Sequence, residues 1–97
     1  LTGDFISAQR AYDIGLINRV TDTVALDAAL ELAASITANG PLAVARSKQV
    51  IVESRDWSEG EMWSKQTEVL GNLFMSEDAR EGAAAFAQKR KPEWKGR

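Results

Sequence analysis

SEDAREGAAAFAQKRKPEWKGR, residues 76–97, decides how the rest of the chain is read. Ser76 is a helix N-cap type, and Glu77 and Asp78 in the next turn suit the positive end of a helix dipole. Ala79, Ala83, Phe86 and Ala87 fall at helical spacing and predict an apolar stripe. Lys89, Arg90 and Lys91 suit the negative end, and Pro92 stops the helix because it has no N–H to donate and its ring clashes with the preceding turn. Of the 12 Lys/Arg residues in the chain, five (Lys89, Arg90, Lys91, Lys95 and Arg97) follow Gln88, opposed there by Glu93 alone. A mildly acidic protein therefore ends in a small positive patch suited to a phosphate or another anion.

Working outward, the same punctuation recurs. Ser58 and Glu61 form a Ser-x-x-Glu capping pattern that predicts a helix over residues 59–75, with Met62, Trp63, Gln66, Leu70, Leu73 and Phe74 on one face. Asn39-Gly40 ends one helix and Pro41 opens the next, giving helices over 24–38 and 41–53. In the first of these, Leu26, Ala29, Leu30, Ala33 and Ile36 share a face. Ser7 caps a short helix over 8–14, closed by Gly15 as a left-handed residue. LINRV, residues 16–20, is short, apolar and partly β-branched, and reads as a small strand with no partner strand in this chain. The expected fold class is all-α: a small helical bundle of about four to five helices with one short orphan strand at 16–20. Gly71 and Gly82 fall inside predicted helices, at a cost of about 1 kcal/mol each relative to alanine. Close packing of another helix is one reason to keep them; simple tolerance is the other.

Composition excludes several chemistries. Ninety-seven residues make one domain or part of one. The chain has no cysteine and no histidine, so disulfides, thiolate chemistry and imidazole ligation or base catalysis are absent from it. No catalytic residue and no metal site is expected. A net charge of −2 argues against general nucleic-acid binding. No apolar run reaches the roughly 18 residues of a membrane span, and no signal peptide is visible. No nucleic-acid or membrane partner is expected, and the expected localisation is cytoplasmic. The opening Leu1-Thr2-Gly3, without methionine, reads as the start of the C-terminal piece of something longer. Glu77, Asp78 and Glu81 are read as stabilising the first turn of their helix rather than as catalytic acids. Trp63 is read as core, and Trp57 and Trp94 as candidate interface anchors. From charge alone the tail has three readings: a solvated helix end, a phosphate site, or a short nucleic-acid or nuclear-localisation patch.

Two stretches resemble the crotonase superfamily, the enoyl-CoA hydratase/isomerases. The first, LTGDFISAQRAYDIGLINRV, is similar to that family's Thr-Gly, Ile-x-Ala, short helix and Gly-Leu-Val/Ile-Asn-x-Val pattern, here Thr2, Gly3, Ile6, Ala8, Gly15, Leu16, Ile17, Asn18 and Val20. The second is the quoted segment 76–97, which resembles the family's closing phrase Ser-Glu-Asp-x-x-Glu-Gly-x-x-Ala-Phe-x-x-Lys-Arg-x-Pro. Between them, NGPLAVARSKQVI resembles a helix that begins after Gly-Pro and carries a central Lys. The resemblance implies a single C-terminal helical domain over 1–97. Residues 1–20 would be the end of a spiral α/β core, and 21–97 the helical part that builds a trimer or hexamer interface. It places the oxyanion hole and the glutamates of hydration upstream. It implies an acyl-CoA thioester as the substrate of the parent enzyme, and no other cofactor. It implies CoA binding at two positions. Lys89 would reach the CoA phosphates. Leu70 would line the adenine end, where the family often has an aromatic residue. The reading from another class is a free-standing helical interaction module whose basic tail binds an acidic partner.

Overall fold

A computed structural model describes residues 2–97; Leu1, the first residue of the stretch assigned to the end of the core, lies outside the described residues. The chain divides into two compact units, one ending at Ala33 and the other covering Ala34–Arg97.

In the first unit, α1 (Ala8–Asp13) begins where the sequence expects it, because the Ser7 hydroxyl accepts a hydrogen bond from Arg10 N. It ends in a Schellman turn: Gly15 N donates to Tyr12 O and Leu16 N to Ala11 O, with Gly15 at φ 74°. The strand expected at 16–20 is not formed, and no strand exists among the described residues. Its first two amides, Leu16 N and Ile17 N, both turn back onto Ala11 O. A strand needs a partner to satisfy its backbone, and this chain offers none. Helix α2 (Ala25–Thr37) follows and crosses the boundary between the units.

The second unit contains α3 (Pro41–Glu53), which starts on Pro41, a residue whose missing N–H costs nothing at a helix start. A 3-10 turn over Ser54–Asp56 continues it. Helix α4 (Met62–Leu70) packs against α3 and is shorter than the periodicity predicts. Gly71 sits at φ 48° and ψ −125°, outside the helical region, so the run over 59–75 breaks there and resumes as a 3-10 turn over Leu73–Met75. Ser58 and Glu61 do meet, but as a turn before the helix. The Glu61 carboxylate accepts from Ser58 N at 3.3 Å and from the Ser58 hydroxyl. Helix α5 (Glu77–Ala87) is capped by Ser76, whose hydroxyl accepts from Ala79 N at 3.0 Å.

Helix α5 closes with the same turn as α1. Lys89 N donates to Phe86 O and Arg90 N to Ala85 O, so Lys89 occupies the left-handed position that Gly15 fills in α1. Lys89 is the only non-glycine residue with positive φ among the described residues, at 54°. A side chain there costs about 1–2 kcal/mol. Lys89→Gly, which also loosens the unfolded chain, is expected to stabilise the unit by about 0.5–1 kcal/mol net in urea unfolding.

The apolar stripes behave differently from the expectation. Amphipathic helices ordinarily turn such stripes to a core. Here Leu26 and Leu30 of α2, Trp63 of α4, Phe74 and Met75 after it, and Phe86 of α5 are all exposed, Phe86 to 88% and Trp63 to 75%. Trp63 is therefore surface, not core. The only apolar residues buried by the described chain are Ala11 and Ala85, and no large side chain is fully covered. What α5 covers is its small and acidic face, Asp78, Gly82 and Ala85, rather than Ala83, Phe86 and Ala87.

Candidate functional site

The tail after α5 is folded back and held by that face. Asp78 is 4% exposed. Its two carboxylate oxygens accept from Lys95 N at 2.7 Å and Gly96 N at 2.9 Å, while its own backbone N–H donates to Arg97 O at 3.1 Å. One turn later Glu81 accepts hydrogen bonds from Nη1 and Nη2 of Arg90, the latter at 2.9 Å, and from the Glu93 amide at 2.8 Å. Such paired guanidinium–carboxylate contacts carry geometric as well as electrostatic specificity. Glu77 pairs with Arg97 at 3.3 Å. The expectation that Glu77, Asp78 and Glu81 only stabilise the first helical turn is thus incomplete: they bind the tail. The tail is accordingly not a solvated helix end.

Trp94 completes the closure. Its indole Nε1 donates to Ala38 O at 2.8 Å. A methyl placed on Gly40 would lie 3.6 Å from the ring, and one on Gly82 only 3.2 Å from it. Gly82 is therefore explained by close packing, though of an aromatic ring and not of another helix. Apolar grooves of about 300 and 320 Å³ flank the ring, one lined by Ala43, Leu73, Phe74 and Ala83, the other by Ile36, Pro41, Val44 and Ala45. Trp94 is an internal clasp here, where sequence alone suggested an interface anchor. Trp57 is half-buried and walls a polar cleft of about 370 Å³ between α3 and α4 that also holds Arg46, Gln49, Glu53, Lys65 and Glu68.

These contacts sort the five tail cations. Arg90 and Arg97 are neutralised by Glu81 and Glu77. Lys95 faces a cleft of about 380 Å³ lined by Glu77, Asp78, Glu81 and Glu93. Lys89 and Lys91 are exposed and form no ion pair among the described residues. Leu70 is the last residue of α4 and half-buried. None of the clefts above is lined by Lys89 or Leu70, so none of them brings the two together.

The Arg90 guanidinium first, then the Glu93 amide, holds the Glu81 carboxyl down to about 2. Glu61 is also lowered, by Ser58 and then Lys65. A general acid at neutral pH needs the opposite shift. Among the described residues no group of three or more acidic side chains is arranged to hold a metal. No single described helix is long and apolar enough to cross a membrane.

The low Glu81 value has a stability consequence with a definite sign. Its folded pKa lies below the ordinary 4.5, so the contact's contribution is complete above about 4.5 and is lost as pH falls toward 2. The Glu81 contact with Arg90 and the Glu93 amide should be intact at pH 5 and lost within that window. The check is the Glu93 amide resonance followed through an acid titration.

A sequence profile of the enoyl-CoA hydratase/isomerase family matches residues 1–97. The chain is 45% identical over 98 residues to the enoyl-CoA hydratase EchA19 of Mycobacterium tuberculosis, covering all of this chain and 37% of that protein. It is 42% identical over 102 residues to a carnitinyl-CoA dehydratase of Proteus mirabilis, covering 39% of it. A crystal structure of an enoyl-CoA hydratase from Mycobacterium tuberculosis superposes with a TM-score of 0.94 at 50% identity, over 99% of this chain and 38% of that one. The chain thus spans well under half the length of the relatives it matches, and its five helices follow those of that structure.

Proposed function

The chain belongs to the enoyl-CoA hydratase/isomerase family, and from that premise we propose that it works as the C-terminal helical segment of an acyl-CoA enzyme. In this reading it supplies an oligomerisation surface and one edge of the CoA site, and the enzyme's catalytic residues lie outside it. The observation that carries the reading is the uncovered apolar stripe of α2, with the exposed Met62 and Trp63 of α4 and Phe86 of α5. Scattered exposed leucines are ordinary, but large apolar side chains exposed together along one helix face, as Leu26, Leu30 and Ile36 are on α2, mark a surface made to be covered. The relatives' printed names, a hydratase and a dehydratase of CoA thioesters, support an acyl-CoA substrate. A cytoplasmic trimer or hexamer, needing no cofactor beyond the CoA thioester itself, is part of the same reading.

Lys89 is assigned the CoA phosphates in this reading, and Leu70 the adenine end. Lysine offers three donors and a compact charge, suited to a phosphate as a point partner. The alternative of a free-standing module reaching an acidic partner with a basic tail fits the tail less well, because two of its five cations are already paired internally.

Sedimentation velocity over a concentration series, with an enoyl-CoA hydration assay on the same samples, tests the reading. The chain alone should self-associate and hydrate nothing above background. A strict monomer at the highest soluble concentration would contradict the oligomerisation role. Turnover by this chain would contradict the absence of catalytic residues.

A further inference from the structure

Arg90, between Lys89 and Lys91, is held by Glu81, and the tail beyond them by Asp78, two carboxylates that the phosphate reading leaves unused. We propose that Asp78 and Glu81 are positioning residues for an anion site, holding the tail in the one arrangement that presents Lys89 and Lys91 to a nucleotide phosphate. The inference rests on the assignment of Lys89 to CoA phosphates.

Three observations carry it. Both oxygens of buried Asp78 and both of Glu81 are used on tail groups, so the backbone after Lys89 has a fixed path. Lys89 keeps a left-handed conformation that a free lysine avoids, set by the turn in which Lys89 N donates to Phe86 O and Arg90 N to Ala85 O, and the Arg90 side chain of that same turn is held by Glu81. The turn also blunts the negative helix end beside Lys89. Ala84 O, Ala85 O and Phe86 O accept from Gln88, Arg90 and Lys89 amides, so fewer open carbonyls oppose an incoming anion.

The two roles a carboxylate has near a basic site predict opposite signs. Acting only through its charge, Glu81 repels a phosphate, so neutralising it tightens binding. Acting as a positioning group, it is needed, so neutralising it weakens binding.

The test titrates the full chain with adenosine 3′,5′-bisphosphate, comparing Lys89→Ala, Glu81→Gln, Asp78→Asn and Arg90→Lys. Lys89→Ala is expected to weaken binding about fivefold, less at higher salt. Glu81→Gln and Asp78→Asn are expected to weaken it about as much, although each makes the chain more positive. Arg90→Lys keeps the charge, loses the paired contact, and should weaken binding about two- to threefold. Because it is the mildest of the changes, it also serves if the carboxylate variants fail to fold. Amide exchange of Lys95 and Gly96 should quicken in the same variants. If Lys89→Ala weakens binding while Glu81→Gln and Arg90→Lys bind as tightly as the unaltered chain or more tightly, the positioning role is overturned alone. If Lys89→Ala changes nothing, the phosphate assignment falls and this inference falls with it.

Discussion

Trp94→Ala is expected to destabilise the Ala34–Arg97 unit by about 2–3 kcal/mol, somewhat below the range for a fully buried tryptophan because the ring is half-exposed. Three losses combine. The ring leaves the slot over Gly40 and Gly82, neither of which has a side chain to fill it. The Ala38 carbonyl at the end of α2 loses its indole donor. The tail then depends on Glu77, Asp78 and Glu81 to stay folded back. Urea unfolding followed by far-ultraviolet circular dichroism measures the shift. Trp94→Phe, which keeps most of the ring and loses the N–H, should recover more than half of it. Trp63→Ala provides the contrast: that ring is 75% exposed, and its loss should cost under about 0.5 kcal/mol. If the two tryptophan variants were equally destabilised, Trp94 would not be the clasp.

Asp78→Ala is expected to cost about 2–3 kcal/mol, since hydrogen bonds to a charged group are worth about 1.5–3 kcal/mol and this carboxylate accepts two of them in a buried place. The magnitude separates two accounts of the same residue. If Asp78 served only the dipole of α5, its loss would cost about 0.3–1 kcal/mol and would fade with salt. Asp78→Asn keeps an acceptor for one of the two amides and should fall between. The expected companion signal is faster exchange of the Lys95 and Gly96 amides, with Ser76 still capping the helix through Ala79 N.

The parts of the fold legible in the sequence are those settled by neighbours in the chain. Ser7, Gly15, Pro41 and Ser76 each mark a helix end through a contact within a few residues, and each marks it where expected. The helix over 59–75 was overextended because the apolar periodicity runs through Gly71, whose backbone lies outside the helical region. The orphan strand failed for want of a partner. The stripes were legible as stripes, but periodicity says which face is apolar and not whether this chain covers it. Trp63 and Phe86 show the difference.

The candidate site was half legible. The basic tail and the three carboxylates were visible, and so was the question posed by Gly82. Their pairing was not, because it joins distant positions: Asp78 with Lys95 across 17 residues, Glu81 with Arg90 across nine, Trp94 with Ala38 across 56. Gly82 inside a helix, with a tryptophan just after a proline stop, was the available signal. The carboxylates that neutralise Arg90 and Arg97 also single out Lys89 and Lys91, which charge counting alone cannot do.

A docked tail and a free basic tail lead to different molecules: an enzyme segment with a preset anion edge, or an interaction module with a flexible arm. Amide hydrogen exchange on the full chain at neutral pH separates them most directly, read at Glu93, Lys95, Gly96 and the Trp94 indole. The docked tail predicts that all four exchange at least about tenfold more slowly than unstructured peptide. Exchange of all four at the unstructured rate, with α5 itself protected, would contradict it.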